Sequence, residues 1–180
     1  MKRLLLVDDE INLLNSLKRL LLRSFGSGEI AVEIFDDPEL ALQRASEVEF
    51  DVVVSDYRMP VMDGVSFLRC FRGIQPDATR LLLSAATDFD ALVVAINEVG
   101  IYRYLPKPWV DEDFIATIKA ACLARERHLE ELRLADAARR GGIAGISAEE
   151  AERRRLESEA PGITQVNWGP DGSVILDDER

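Results

Sequence analysis

Residues Asp51-Val-Val-Val-Ser-Asp56, running on into Tyr57-Arg-Met-Pro-Val-Met-Asp-Gly64, decide the fold. Val52, Val53 and Val54 stand together with no polar residue between them. A strand with one wet face alternates apolar and polar side chains. A short β-branched run without alternation is covered on both faces, as in a parallel sheet packed between layers of helix. The run ends in an acid, and a proline-containing loop follows, so the chain leaves the sheet at Asp56. Asp63 then offers an N-cap to a helix.

The same grammar repeats outward in both directions. Strands are expected at residues 3–7, 29–35, 51–55, 80–84 and 102–105, where leucine-rich or β-branched runs such as Leu81-Leu82-Leu83 stand. Between them, apolar residues recur at steps of three and four: Leu14, Leu17 and Leu21 in one segment, Phe89, Leu92, Val93, Ile96 and Val99 in another. Asp37-Pro38 gives a cap and a first-turn proline, Asp111 a further cap, and Gly100 a left-handed helix end. Alternating strands and helices in this number make a (βα)5 unit, an α/β doubly wound sheet with helices on both sides.

At 180 residues the chain is one domain, or one domain with an appendage. Its 47% hydrophobic and 31% charged residues suit a globular protein with a real core. With 33 acidic against 22 basic residues and a net charge of −11, it repels polyphosphates and anionic lipid, so nucleic-acid binding is not expected. The apolar run Leu4–Val7 stops at Asp8-Asp9-Glu10, too short for an export signal, and no stretch approaches the roughly 20 residues that cross a bilayer. Cys70 and Cys122 form no metal or redox motif and read as core-type residues in a reducing compartment. No membrane insertion and a cytoplasmic location are the expectation.

The last helical pattern starts near Asp111 and continues past the length one sheet needs, to Gly141-Gly142. Ile115, Ile118, Cys122, Arg125, Leu129 and Leu132 fit the steps of a coiled-coil seam through which two copies could pair, although Arg125 interrupts it. Ser147-Ala-Glu-Glu150 is a capping box opening a short charged helix to about residue 158, which Pro161-Gly162 ends. A Gly-Pro-Asp-Gly turn at residues 169–172 joins Thr164, Val166 and Trp168 to Val174, Ile175 and Leu176, the pattern of a β-hairpin. The expected organisation is a sheet domain over residues 1–122, a helical extension over 123–140, and a tail of short helix plus hairpin over 141–180.

In a doubly wound sheet, ligands bind outside the carboxyl ends of the strands where strand order reverses. Asp8 and Asp9 stand at that end of the first strand, Asp56 of the third, Ser84 of the fourth, and Lys107, between Pro106 and Pro108, just beyond the fifth. Three carboxylates meeting on one rim require a cation, and hard oxygen ligands suit Mg²⁺. A lysine and a hydroxyl at the same place complete a pocket for a phosphoryl group, and an aspartate beside Mg²⁺ can itself become the acyl phosphate. Singly, each residue has a plainer reading: Asp9 as an N-cap, Asp56 as a turn residue, Ser84 as a cap, Lys107 as a solvated charge. Jointly they point to a phosphoacceptor.

These residues, over about 2–122, resemble the receiver domain of two-component response regulators: Asp8-Asp9, the Asp56–Gly64 segment, Ser84-Ala85, Tyr104 and Lys107-Pro108. The resemblance implies a flavodoxin-like sheet in the order 2-1-3-4-5. It implies that Asp56 accepts phosphate from a sensor histidine kinase or phosphotransfer protein, and that Asp9, Asp56 and the carbonyl of Arg58 bind Mg²⁺ with Asp8 helping through water. Lys107 would contact the phosphoryl oxygens, Ser84 would swing toward them, and Tyr104 would turn inward behind it. The Lys107–Pro108 bond is expected to be cis. The Tyr102–Trp109 segment looks most like receivers attached to cyclic dinucleotide phosphodiesterases or to hydrogenase regulators.

No DNA-reading helix, glycine-rich phosphate loop or zinc-ligand spacing follows, so output is expected through a downstream protein target, a homodimer formed by the last helix or tail, or loss of phosphate. Two alternatives stand beside the response regulator. One is a relay intermediate or phosphate sink without its own output. The other is an aspartyl-nucleophile phosphatase; that class resembles a pattern with a second aspartate two residues on, where this chain has Arg58, which cannot shuttle a proton. The chain is therefore expected not to be an enzyme, beyond slow self-hydrolysis.

Overall fold

A computed structural model describes residues 1–85, 99–144, 155, 167–168 and 174–175 of the chain. Two compact units divide it, Met1–Glu130 and Glu131–Arg180. In the first, β1 (Lys2–Val7), α1 (Ile11–Ser24), β2 (Ile30–Phe35), α2 (Pro38–Glu47), β3 (Val52–Asp56), α3 (Gly64–Ile74), β4 (Thr79–Ala85) and β5 (Arg103–Lys107) follow one another, and α4 begins at Asp111 and ends at Ala144. The five strands are parallel and lie in the order β2-β1-β3-β4-β5, the doubly wound order expected. The helix expected between the fourth and fifth strands falls on residues 86–98, outside the described residues.

Because successive side chains of a strand point to opposite faces, the sheet builds two cores. Leu4, Leu6, Val52, Val54, Leu81 and Leu83 pack with Leu14, Leu17 and Leu21 of α1 and with Phe114 and Ile118 of α4. Leu5, Val7, Val53 and Leu82 pack with Ala41 and Ala45 of α2 and with Phe67, Leu68 and Phe71 of α3. Both valine faces of β3 are thus covered, which is why that strand carries no polar alternation until Ser55. Each buried leucine or phenylalanine contributes about 2 kcal/mol by leaving water.

The local signals resolve residue by residue. The Asp37 carboxylate accepts from the amides of Glu39 and Leu40, and that of Asp63 accepts from Ser66, so both cap as expected. Gly100 has φ +65°. Asp111 is instead the first residue of α4, and with Glu112 and Asp113 it places three acids in the positive first turn while Val110 accepts the Phe114 amide. Asp9 does not cap α1: the residue before the helix is Glu10, whose side chain makes no cap bond.

The interrupted seam of the last helix has a different meaning from the one its spacing suggested. Ile118 and Cys122 are buried in the sheet's own core, and Arg125 turns inward to place Nη1 2.5 Å from Asp51 Oδ1. At Ile118, Cys122 and Arg125 the periodicity therefore records packing on the chain's own sheet, whereas Leu132 of the same pattern is exposed. The helix also runs through Gly141-Gly142, the expected stop, to Ala144.

In the second unit, β6 (Asn167–Trp168) pairs antiparallel with β7 (Val174–Ile175), Trp168 opposite Val174. The connecting turn and the short helix expected near residues 147–158 lie outside the described residues, except Arg155, which is helical and exposed.

Candidate functional site

Register brings the acidic residues together. Val7 pairs with Ser55 across β1 and β3, so Asp8, just past the end of β1, and Asp56, the last residue of β3, stand side by side. Ser84 pairs with Pro106 and Ala85 with Lys107 across β4 and β5, which carries the hydroxyl and the lysine to the same edge. Asp8 and Asp56 are 1% and 5% exposed, and Ser84 is buried as well. The Lys107–Pro108 bond is cis.

The lysine is the hub. Its Nζ stands 2.5 Å from Asp56 Oδ1 and donates at 3.0 Å to Asp8 Oδ2. The remaining oxygens are held by backbone: Asp56 Oδ2 accepts from the Arg58 amide at 2.8 Å, and Asp8 Oδ1 from the Glu10 amide at 2.8 Å. Both carboxylates are therefore fixed in orientation. Tyr104, half-buried, donates its hydroxyl to the carbonyls of Ser84 and Ala85 at 3.3 and 3.2 Å, which ties the fifth strand to the end of the fourth.

Burial raises the Asp56 pKa above the ordinary aspartate value; Lys107 pulls it down, Asp8 pushes it up again, and the Arg58 amide lowers it, with burial prevailing. Burial pulls Lys107 the other way, yet its bonds to Asp56 and Asp8 outweigh that, and its pKa is raised. The two ends of the pair respond unequally for a simple reason. One ammonium serves two buried carboxylates, so the lysine gains from both while the acids divide a single positive charge.

Asp9 takes no part in this arrangement. It is exposed and, with Tyr57, Arg58, Met59, Pro60 and Asp63, lines an open cleft of about 520 Å³. Among the described residues no three acidic, histidine or cysteine side chains close on one point. The tight trio of carboxylates expected from the sequence is corrected to a pair on Lys107 and a third acid beside the cleft, as mutual repulsion and one shared ammonium dictate. The donor set fits a hard divalent cation nonetheless. Asp9 and the Arg58 backbone border the cleft next to Asp56, all donors are oxygen, and negative charge remains that the lysine does not neutralise.

One contributor was not singled out in the sequence. A Cβ on Gly64 would stand 2.0 Å from the Asp56 carbonyl oxygen, and the Gly64 amide donates to the Tyr57 carbonyl at 2.9 Å, so only glycine lets α3 start against the back of Asp56. The signal was a glycine directly after the Asp63 cap, where a better helix former would ordinarily stand.

The comparisons with known proteins agree with this geometry. The family model described as "Response regulator receiver domain" matches residues 4–119. The transcriptional regulatory protein PrrA of Mycobacterium tuberculosis is 36% identical over 161 residues, 89% of this chain and 60% of that protein. The hydrogenase transcriptional regulatory protein HoxA of Cupriavidus necator is 35% identical over 121 residues, 67% of this chain and 24% of that protein. The chain thus spans about a quarter of HoxA's length. Among solved structures, the signal receiver domain of an HD domain-containing protein from Pseudomonas fluorescens Pf-5 superposes with a TM-score of 0.66 at 32% identity, covering 72% of this chain and 92% of that one. A structure titled adenylate cyclase from Rhodopirellula baltica gives 0.69 at 32% identity, over 75% and 97%. With the family model covering well over half of its length, the chain belongs to the response regulator receiver family.

Proposed function

We propose that this chain is a phosphorylation-dependent signalling receiver whose acceptor is Asp56, loaded by a sensor histidine kinase or a phosphotransfer protein. The observation that carries the reading is the buried Asp56 carboxylate held between the Lys107 ammonium and the Arg58 amide. In the transfer, an Asp56 oxygen attacks phosphorus, the P–N bond of the donor phosphohistidine breaks, and the imidazole keeps the bonding pair and takes a proton from water. The product is an aspartyl phosphate. Lys107 stays protonated and follows the new oxygens, which leaves Asp8 as its remaining carboxylate partner. Mg²⁺ would be held by Asp9, Asp56 and the Arg58 carbonyl with Asp8 behind a water, and would neutralise charge on the transferring oxygens.

The switch follows from what surrounds Ser84. Its hydroxyl serves as a donor to the arriving phosphoryl group, and the Tyr104 hydroxyl, now bonded to the Ser84 and Ala85 carbonyls, moves when that segment moves. Output passes to a downstream protein or a second copy of the chain by way of the β5 and α4 surface and the residues beyond 122. Receiver domains are signalling modules and not true enzymes; return to the resting state is by slow hydrolysis of the acyl phosphate. We place the protein in the cytoplasm, where a kinase of this class presents its phosphohistidine; no described helix is long and apolar enough to cross a membrane.

The experiment is intact-mass spectrometry after incubation with Mg²⁺ and acetyl phosphate. One phosphoryl group is expected on the wild type and none on Asp56→Asn. An unchanged wild-type mass removes the proposal.

A further inference from the structure

At the amino ends of β4 and β5, the edge of the sheet opposite Asp56, positive charge gathers that the chemistry above does not use. A cavity of about 360 Å³ opens there. Arg72 from the last turn of α3, Arg80 from β4, Tyr102 just before β5, and Arg125 and His128 from α4 line it. Asp77 is the only acid among the described residues of its wall.

The cations have work inside the fold, yet that work does not cancel their charge. Arg80 donates to the carbonyls of Val99, Pro76, Ala78 and Gly100 at 3.2, 2.9, 2.9 and 3.4 Å. Carbonyls are dipoles and not anions, so the guanidinium keeps its whole charge. Burial first, and then the neighbouring Arg72, lower its pKa, while Asp77 pulls the other way. Arg125 has its Nη1 on Asp51, but its Nε is buried without a hydrogen-bond partner, and a buried donor left unpaired is costly. His128 Nε2 lies 3.1 Å from Asp77 Oδ1. Three guanidiniums thus face two carboxylates, Asp77 and Asp51. The net charge of −11 does not erase this local surplus, because salt screens distant acids beyond about 8 Å.

The geometry also selects the kind of anion. The guanidiniums come from three elements, α3, β4 and α4, and so approach from different sides. A planar carboxylate offers two oxygens in one plane, whereas a tetrahedral phosphate ester offers oxygens in three directions. The cavity has room for more than a bare phosphate, and a drug-sized pocket starts at about 300 Å³. Tyr102, 41% exposed, together with Ala78 and Ala124, gives the wall an apolar part.

We propose that this cavity is a second ligand site, for a small phosphate monoester whose phosphate is held by Arg72, Arg80 and Arg125 and whose organic part lies against Tyr102. The site stands apart from Asp56 and does not depend on the reading of that residue as phosphoacceptor.

The test titrates the ¹⁵N-labelled full chain with phenyl phosphate in chelator and follows backbone amide shifts, with phenol and inorganic phosphate as controls. Phenyl phosphate is expected to give saturable shifts at residues 77–80, 100–102 and 124–128, and phenol none. Arg72→Gln is expected to weaken binding about tenfold, and Arg72→Lys less, through the lost charge-assisted hydrogen bonds. Tyr102→Leu is expected to weaken phenyl phosphate about threefold and to leave inorganic phosphate unchanged. Arg72 and Tyr102 are both exposed, and melting curves check that each variant folds; if Arg72→Gln does not fold, Tyr102→Leu decides. Equal affinity of wild type and a folded Arg72→Gln overturns the proposal. So does equal binding of phenol, or a set of shifts confined to residues 8–10, 56–58 and 107, which would put the anion at the other end of the sheet.

Discussion

At Asp56, burial first and the Asp8 charge with it keep the carboxyl pKa raised against the pull of Lys107 and the Arg58 amide, so ionisation of this residue opposes folding at neutral pH. A group whose folded pKa is raised supports stability in acid and loses that support as pH rises through the folded value. A carboxamide in its place does not titrate and carries no such dependence. In chelator at pH 7, Asp56→Asn is therefore expected to melt above wild type, and the gap to shrink as pH falls toward 4; thermal unfolding followed by circular dichroism at the two pH values decides it. On the proposed function, added Mg²⁺ is expected to raise the melting point of the wild type and not that of Asp56→Asn, read in the same unfolding experiment. Much of this site was readable from residue types at strand ends, because Asp8, Asp56, Ser84 and Lys107 each follow a run that could only be a strand. Asp9 was placed too close to its neighbours, since sequence adjacency says nothing about which acid the lysine selects.

Elements were legible where one face decides them and obscure where two demands overlap. The three valines of β3 and the Asp37-Pro38 start of α2 each admit a single reading. In α4 the three- and four-residue steps served the body's own core through Ile118 and Cys122, and Arg125 broke the pattern because Asp51 needs a cation there. A polar residue in an apolar seam can mark either a partner or a buried counter-charge, and spacing does not tell which. Replacing it separates the two. Arg125→Leu completes the seam on paper, yet with the side chain facing Asp51 it is expected to leave sedimentation of the chain unchanged. It should lower stability by about 2 kcal/mol in denaturant unfolding, through the carboxylate left without its charged donor.

Across the whole of the first unit, α4 is fastened by unlike means at its two levels. Near its start, Phe114 is fully buried with its ring 5.7 Å from that of Trp109, and Ile118 and Ala121 continue the apolar contact. Farther along, polar clasps take over: Arg125 with Asp51, Glu126 with Lys2, and His128 Nε2 3.1 Å from Asp77 Oδ1. Dissolved ions weaken charge pairs within reach of water and leave hydrophobic contact intact or strengthened. The helix accordingly has an ionic-strength gradient written along it. Raising sodium chloride from low to molar concentration should speed deuterium uptake at the amides of residues 123–130 and leave those of residues 114–121 protected, so that whatever the extension transmits loosens first at its foot in brine.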